Sequence, residues 1–230
     1  MTPCTSHSSP RIVALVPMRH HSERVPGKNY RPFAGRPLYH HIVGSLLACP
    51  YINSVYIDTD SSYIMEDAPR RFDVHIIERP QHLRSDFTPM NGILLYDVTQ
   101  VEADYYLQTH STNPLLRTQT IGAAIEAFLD SQHHDSLFSV TRLQRRLWDA
   151  EGRPVNHDPG QLLRTQDLPP IYEENSCLYI FTRSNLESRL NRIGERPLMF
   201  EIDRIEAWDI DDEQDFHIAE ILYATREGRI

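Results

Sequence analysis

Lysine is almost absent from this 230-residue chain: Lys28 stands alone among 23 basic residues, and the rest are arginine. Cysteine is scarce as well. Cys4, Cys49 and Cys177 are odd in number, widely spaced and without a CxxC pair, which argues against a disulfide framework or a zinc site and favours a reducing compartment. No window approaches the ~20 apolar residues of a membrane span, and the first ten residues have no apolar centre of the signal-peptide kind. Positive charge is short: 32 acidic residues against 23 basic ones leave a net −9, so neither nucleic acid nor an anionic membrane surface is expected as a partner. A soluble, cytoplasmic protein is the expectation. Any anion it binds must be gripped by a local cluster of cations.

What is present is a chain that is 40 % hydrophobic and of a size to bury one core. Residues 1–10 are rich in Ser, Thr and Pro and are expected to be disordered, with one domain over 11–230. "RIVALVP" is a continuous β-branched run of the sort that fills a strand buried on both faces. "PLYHHIVGSLLACP" reads as a helix, "INSVYIDTD" as a strand, "SSYIMEDAPRRF" as a helix and "DVHIIERP" as a strand. Helix "MNGILLYDVTQ", strand "ADYYLQTH", helix "RTQTIGAAIEAFLDS" and strand "SLFSVTRLQ" continue the alternation. Strands alternating with helices predict an α/β fold, a mostly parallel sheet covered by helices on both faces. From about 145 to 175 the pattern breaks into Pro- and Gly-punctuated stretches that read as an irregular excursion. "CLYIFTR", "PLMFEI" and "IEAWDID" are then read as strands, and "DEQDFHIAEILYATREG" as a last helix closed by Gly228.

In open α/β sheets ligands lie beyond the carboxyl ends of the strands, and the loop after the first strand is the usual phosphate site. Here that loop is "RHHSERVPGKNYRPFAGRPL". It gathers Arg19, Arg24 and Lys28 around Ser22, Gly27 and Asn29, an anion cradle by composition, yet it is neither GxxxxGK[ST] nor GxGxxG. A lysine in an arginine-using chain suggests a compact point charge set among phosphate oxygens, where a planar fork would not serve. The paired histidines at 20–21, 40–41 and 133–134 have no metal-site spacing and are read as packing or surface residues outside the ligand loops.

"ALVPMRHHSERVPGKN" resembles the signature loop of the acylneuraminate cytidylyltransferase family, P-A-R-x-x-S-K-x-x-P-x-K-N, through Pro17, Arg19, Ser22, Pro26, Lys28 and Asn29. "IDTDSSYI", "ERPQHLRSDFTPMNGIL", "RTQDLPPIYEENSCLYIF" and "WDIDDEQDF" resemble further family segments in the same order, over residues 11 to 222. The resemblance implies a nucleotide-diphospho-sugar-transferase-like fold and transfer of CMP from CTP to an acidic acceptor. It implies Arg19, Lys28 and Asp211 as catalytic groups, and a CTP site of Arg19, Ser22, Arg24, Lys28, Asn29 (beside the ribose), Arg79, Asp86 and Thr88. It further implies an acceptor site of Gln108, Arg164, Gln166, Tyr172 and Asn175, Mg²⁺ on Asp209 and Asp211, and a homodimer whose contact is the 145–175 excursion. Asp209 and Asp211, one residue apart, would point the same way from a strand end. His20, His21, Glu23 and Ser176 depart from the family pattern. They leave three readings open: a nonulosonic sugar acid as acceptor, a small phosphonate, or a protein that binds nucleotide without turnover.

Overall fold

The computed structural model describes residues 9–228, so most of the segment expected to be disordered lies outside the described residues. Nine strands and six α-helices follow in chain order. They are β1 (Ile12–Leu15), β2 (Pro32–Phe33), β3 (Arg36–Pro37), α1 (Tyr39–Leu47), β4 (Ser54–Thr59), α2 (Ser62–Arg71) and β5 (His75–Glu78). The second half supplies α3 (Met90–Gln100), β6 (Tyr105–Thr109), α4 (Thr118–Asp130), β7 (Ser136–Leu143), β8 (Ile171–Phe181), α5 (Arg183–Arg189), β9 (Pro197–Glu201) and α6 (Glu213–Arg226). Seven strands form one sheet in the order β5-β4-β1-β6-β8-β7-β9. Within it all pairings are parallel except those of β8, which runs antiparallel to both β6 and β7; β2 and β3 form a separate antiparallel pair.

The alternation of β1 explains why its sequence is apolar throughout. Ile12 and Ala14 point into the cluster that α1, α2 and α4 cover, whereas Val13 and Leu15 point into the cluster under α3 and α5. A third cluster joins Val25, Phe33 and Leu38 to Ile210, Phe216 and Tyr223, so α6 clamps the end of the chain onto the loop after β1. Arg31 reinforces the clamp by donating to both carboxylate oxygens of Glu213 at 2.6 and 2.7 Å. Among the described residues no helix is long and apolar enough to cross a membrane.

Three readings change. "IEAWDID" is not a strand: Ile210 is fully buried among α6 and the loop, and its amide donates a single backbone bond to the Thr112 carbonyl at 3.0 Å in place of a ladder. Trp208 and Ile210 pack with α6, Ala207 packs against the core under α1 and α4, and none of them joins the sheet. β8 begins at Ile171, well before "CLYIFTR", because its first half extends with β7 as a two-stranded arm whose outer residues are exposed. The third is α5, which was not foreseen; Thr182 caps it by accepting from the Asn185 amide at 3.2 Å.

Ser176 sits where β7 and β8 slip in register, and its φ of 58° is left-handed, a conformation that costs a residue with a Cβ about 1 kcal/mol. Ser176→Gly is therefore expected to stabilise the protein by ~1 kcal/mol, read from the midpoint of urea unfolding. An unchanged midpoint would mean the surrounding strands relax the strain.

Candidate active site

The loop from Pro17 to Tyr30 leaves β1 at its carboxyl end and is tied down from several sides. Met18 bridges Thr59, the His20 amide donates to Asp60 Oδ1 at 2.7 Å, and His20 Nδ1 lies 2.9 Å from Ser61 Oγ. Asn29, buried, donates to the Arg19 carbonyl at 2.7 Å and accepts from Ser111 Oγ at 2.5 Å. Asn29 thus braces the loop, and it also lines the cleft that the loop bounds. Gly27 has φ 66°, and a Cβ there would lie 2.8 Å from the Tyr30 ring, so the turn that presents Lys28 requires glycine.

The braced loop forms one wall of a cleft of about 450 Å³. Arg19, Ser22, Arg24 and Lys28 line that wall, Arg79, Asp86 and Thr88 line the far end, and Asp209 and Asp211 face the loop from the segment before α6. Arg24 bonds Asp211 at 2.6 Å, Lys28 Nζ donates to the Ile210 carbonyl at 2.5 Å, and Arg19 pairs with Asp86 across the mouth. Burial lowers the pKa of Lys28, and Asp209 and Asp211 partly restore it. Burial raises that of Asp209, while a bond from Thr112 pulls it back. Asp209 Oδ1 is buried and has no hydrogen-bond donor. A carboxylate oxygen left bare beside the cleft, with a second carboxylate next to it, suits a hard cation.

At the far end, Arg79 is 4 % exposed and bonds Asp58, itself 1 % exposed, through Nε at 2.5 Å. Behind them Asp97 is fully buried near the Asp58 carboxylate, and neither of its carboxyl oxygens has a hydrogen-bond partner. Burial first, then the Asp58 charge, pushes Asp97 well above the ordinary carboxylate value of 3.8, so it is the member of the pair that keeps its proton. The folded state thus holds a proton that the unfolded chain gives up above about pH 4. Stability from this group is complete below that pH and falls as pH climbs towards the raised value. Asp97→Asn, which keeps a donor without the charge, should unfold at higher temperature than wild type at pH 8, by the equivalent of ~2 kcal/mol, and show little gain at pH 4.5. A gain of equal size at both pH values would contradict a protonated Asp97.

A cytidylyltransferase family model matches residues 13–227. The chain belongs to the cytidylyltransferase family. It is 26 % identical over 220 residues to N-acylneuraminate cytidylyltransferase A of Danio rerio, covering 92 % of this chain and 50 % of that protein. The CMP-N,N'-diacetyllegionaminic acid synthase of Legionella pneumophila is 28 % identical over 225 residues, covering 92 % and 96 %. The chain therefore spans about half the length of the fish relative and nearly all of the bacterial one. Among solved structures, CMP:2-keto-3-deoxy-manno-octonic acid synthetase complexed with CTP superimposes with a TM-score of 0.72 at 16 % identity, over 94 % of this chain and 99 % of that one, a likeness of fold.

Within this cytidylyltransferase fold the expected residues divide. The cation loop, the Arg79–Thr88 end and the aspartate pair share one cleft. Asn175 lines an adjoining cavity of about 500 Å³ that shares Ser176, Asp209 and Asp211 with it. The Asn175 side chain accepts from Ser139 Oγ at 2.6 Å and donates to Thr141 Oγ1 at 3.0 Å, which makes it a sheet brace at the cavity wall. Arg164, Gln166 and Tyr172 are not brought to the cleft. Arg164 is exposed and bonds Asp167 at 2.7 Å within a short 3-10 turn, Gln166 lines a separate hollow with Arg142 and Arg204, and Tyr172 lies on the two-stranded arm. Among the cleft residues that have no role in the sequence reading are His110 and Arg192. His110 follows β6 and Arg192 lies between α5 and β9, and neither falls in a recognisable motif.

Proposed function

We propose that the protein transfers CMP from CTP to a hydroxyl of a nonulosonic sugar acid and releases pyrophosphate. The observation that carries the reading is the facing of Arg19, Arg24 and Lys28 against Asp209 and Asp211 in one cleft, at the carboxyl end of β1. In such a transfer the acceptor oxygen bonds to the α-phosphorus, the bond from that phosphorus to the bridging oxygen breaks, and the hydroxyl proton is lost. Negative charge grows on the nonbridging oxygens and on the departing pyrophosphate, where fixed cations lower the barrier. Lys28, aimed by the Ile210 carbonyl, would meet the phosphates, and Arg79, fixed by Asp58, would bound the base end. Sialic-acid-type acceptors are favoured over phosphonates because the relatives described above carry sugar-acid names.

Mg²⁺ is the cofactor this reading calls for. Asp209 and Asp211 would hold it, and when bound it would offset the triphosphate charge. No group of three His, Cys, Asp or Glu gathers among the described residues, so the remaining ligands would be water and phosphate oxygens, as suits this ion. The arm and excursion, with Trp148, Val155 and Leu162 exposed, are our choice for a homodimer contact, which light scattering would register as a doubled mass.

The test is pyrophosphate release from CTP and Mg²⁺ with a panel of nonulosonic acids and small phosphonates. Release with a sugar acid is the expected result. CTP binding without release for any acceptor would leave a nucleotide-binding protein and overturn the proposal.

A further inference from the structure

Arg192 is a partly buried cation in the same cleft, well apart from the phosphate loop in the chain. It lies between α5 and β9, and its guanidinium stacks on the Tyr179 ring 3.6 Å from the centroid. Nη1 donates to Gln108 Oε1 at 2.6 Å. Gln108 is itself fully buried and donates onward towards His110 Nε2 at 3.1 Å. Glu174, the nearest acidic influence, is engaged by the Tyr179 hydroxyl, and no carboxylate forms an ion pair with Arg192 among the described residues.

A guanidinium carries five N–H donors and stays charged in proteins. Gln108 accepts from one, the Tyr179 ring covers the plane, and the side chain borders the open cleft. Enclosing a cation without a counter-charge is costly, and the cost is recovered when an anion supplies the missing partner. The surroundings suit that partner. His110, 3.1 Å from the Gln108 amide nitrogen, is held neutral, its pKa lowered to about 3 by burial and by the charges of Arg192 and Lys28. One cation belongs to the loop read as the phosphate wall, and the other stands beyond His110 with Gln108. A flat fork fixed by stacking matches the two oxygens of a carboxylate.

We infer that Arg192, stacked on Tyr179 and steered by Gln108, is the specificity residue that docks the carboxylate of the acceptor. This rests on the transfer reading above. Two anions could meet such a fork, the acceptor carboxylate or a phosphate of CTP, and the kinetics separate them.

The probes are the sugar acid that releases most pyrophosphate in the panel and its methyl ester, with wild type, Arg192→Met and Arg192→Lys. Arg192→Met should raise the acceptor KM by roughly 10- to 100-fold, the range for losing a hydrogen bond to a charged group. CTP affinity by calorimetry should change by less than about 2-fold, since binding of one substrate alone is lost. The preference of wild type for the acid over its ester should shrink towards parity in Arg192→Met, and Arg192→Lys should restore part of it. A merely structural strut would leave that preference intact. If Arg192→Met does not fold, Arg192→Lys carries the test: a raised acceptor KM with CTP affinity retained supports the inference. An unchanged acid-to-ester preference, or CTP affinity that falls with the acceptor's, overturns it while wild-type turnover stands. No release from any acid would instead sink the transfer reading, and this inference with it.

Discussion

Lys28→Ala is expected to lower kcat/KM by ~30- to 1000-fold, the ~2–4 kcal/mol that one preorganised donor to developing charge contributes. The structure gives the ammonium a fixed aim. Its Nζ is tethered to the Ile210 carbonyl, the Gly27 turn presents it, and Arg19 and Arg24 share its wall. Lys28→Arg should recover little of the loss, because a bulky planar fork cannot keep the Ile210 bond and occupy the same point. The pH dependence gives a second sign. Burial lowers the Lys28 pKa below 10.5, so the charged form is lost earlier as pH rises, and the alkaline limb of kcat/KM should fall below the usual lysine range. Rates within 3-fold of wild type in both variants would remove Lys28 from the chemistry.

Asp209→Asn and Asp211→Asn are expected to depress Mg²⁺-dependent turnover by about 100-fold or more, while CTP affinity falls by less than about 5-fold. Each removes a hard oxygen ligand from an ion that tolerates little departure from octahedral geometry. The cations of the loop remain to hold the triphosphate. The two variants should also differ. Asp211→Asn frees Arg24 from its 2.6 Å partner, whereas Asp209→Asn neutralises an oxygen that has none. Asp212 caps α6 independently, accepting from the Asp215 amide at 3.0 Å, so helical content should be unchanged in both. Magnesium titration of rate and circular dichroism check the two halves; equal loss of CTP binding and rate would mean the pair only shapes the site.

The parallel half of the sheet was legible because strands buried on both faces leave unbroken apolar runs, as Ile12–Leu15 does, and amphipathic helices bound them. The cation loop was legible from composition, since Lys28 and its arginines are local in sequence. What escaped depends on approaches between distant residues. "IEAWDID" carries a strand-like alternation, but its buried residues answer to α6 and the loop after β1. Asn29 matches a motif position, yet only the tertiary structure shows that it also braces the loop through Arg19 and Ser111. Arg192 lies 84 residues from Gln108, and no spacing rule brings them together. Arg164 and Gln166 match a motif in sequence and still lie on the excursion, away from the cleft of their own chain.

The central claim is that this cleft joins CMP to a sugar acid, and mass analysis of the products tests it most directly. With CTP, Mg²⁺ and the acid panel, the account predicts a CMP–sugar acid conjugate and pyrophosphate in equal amounts. CTP left intact, or hydrolysed with no conjugate formed from any acid, would contradict it.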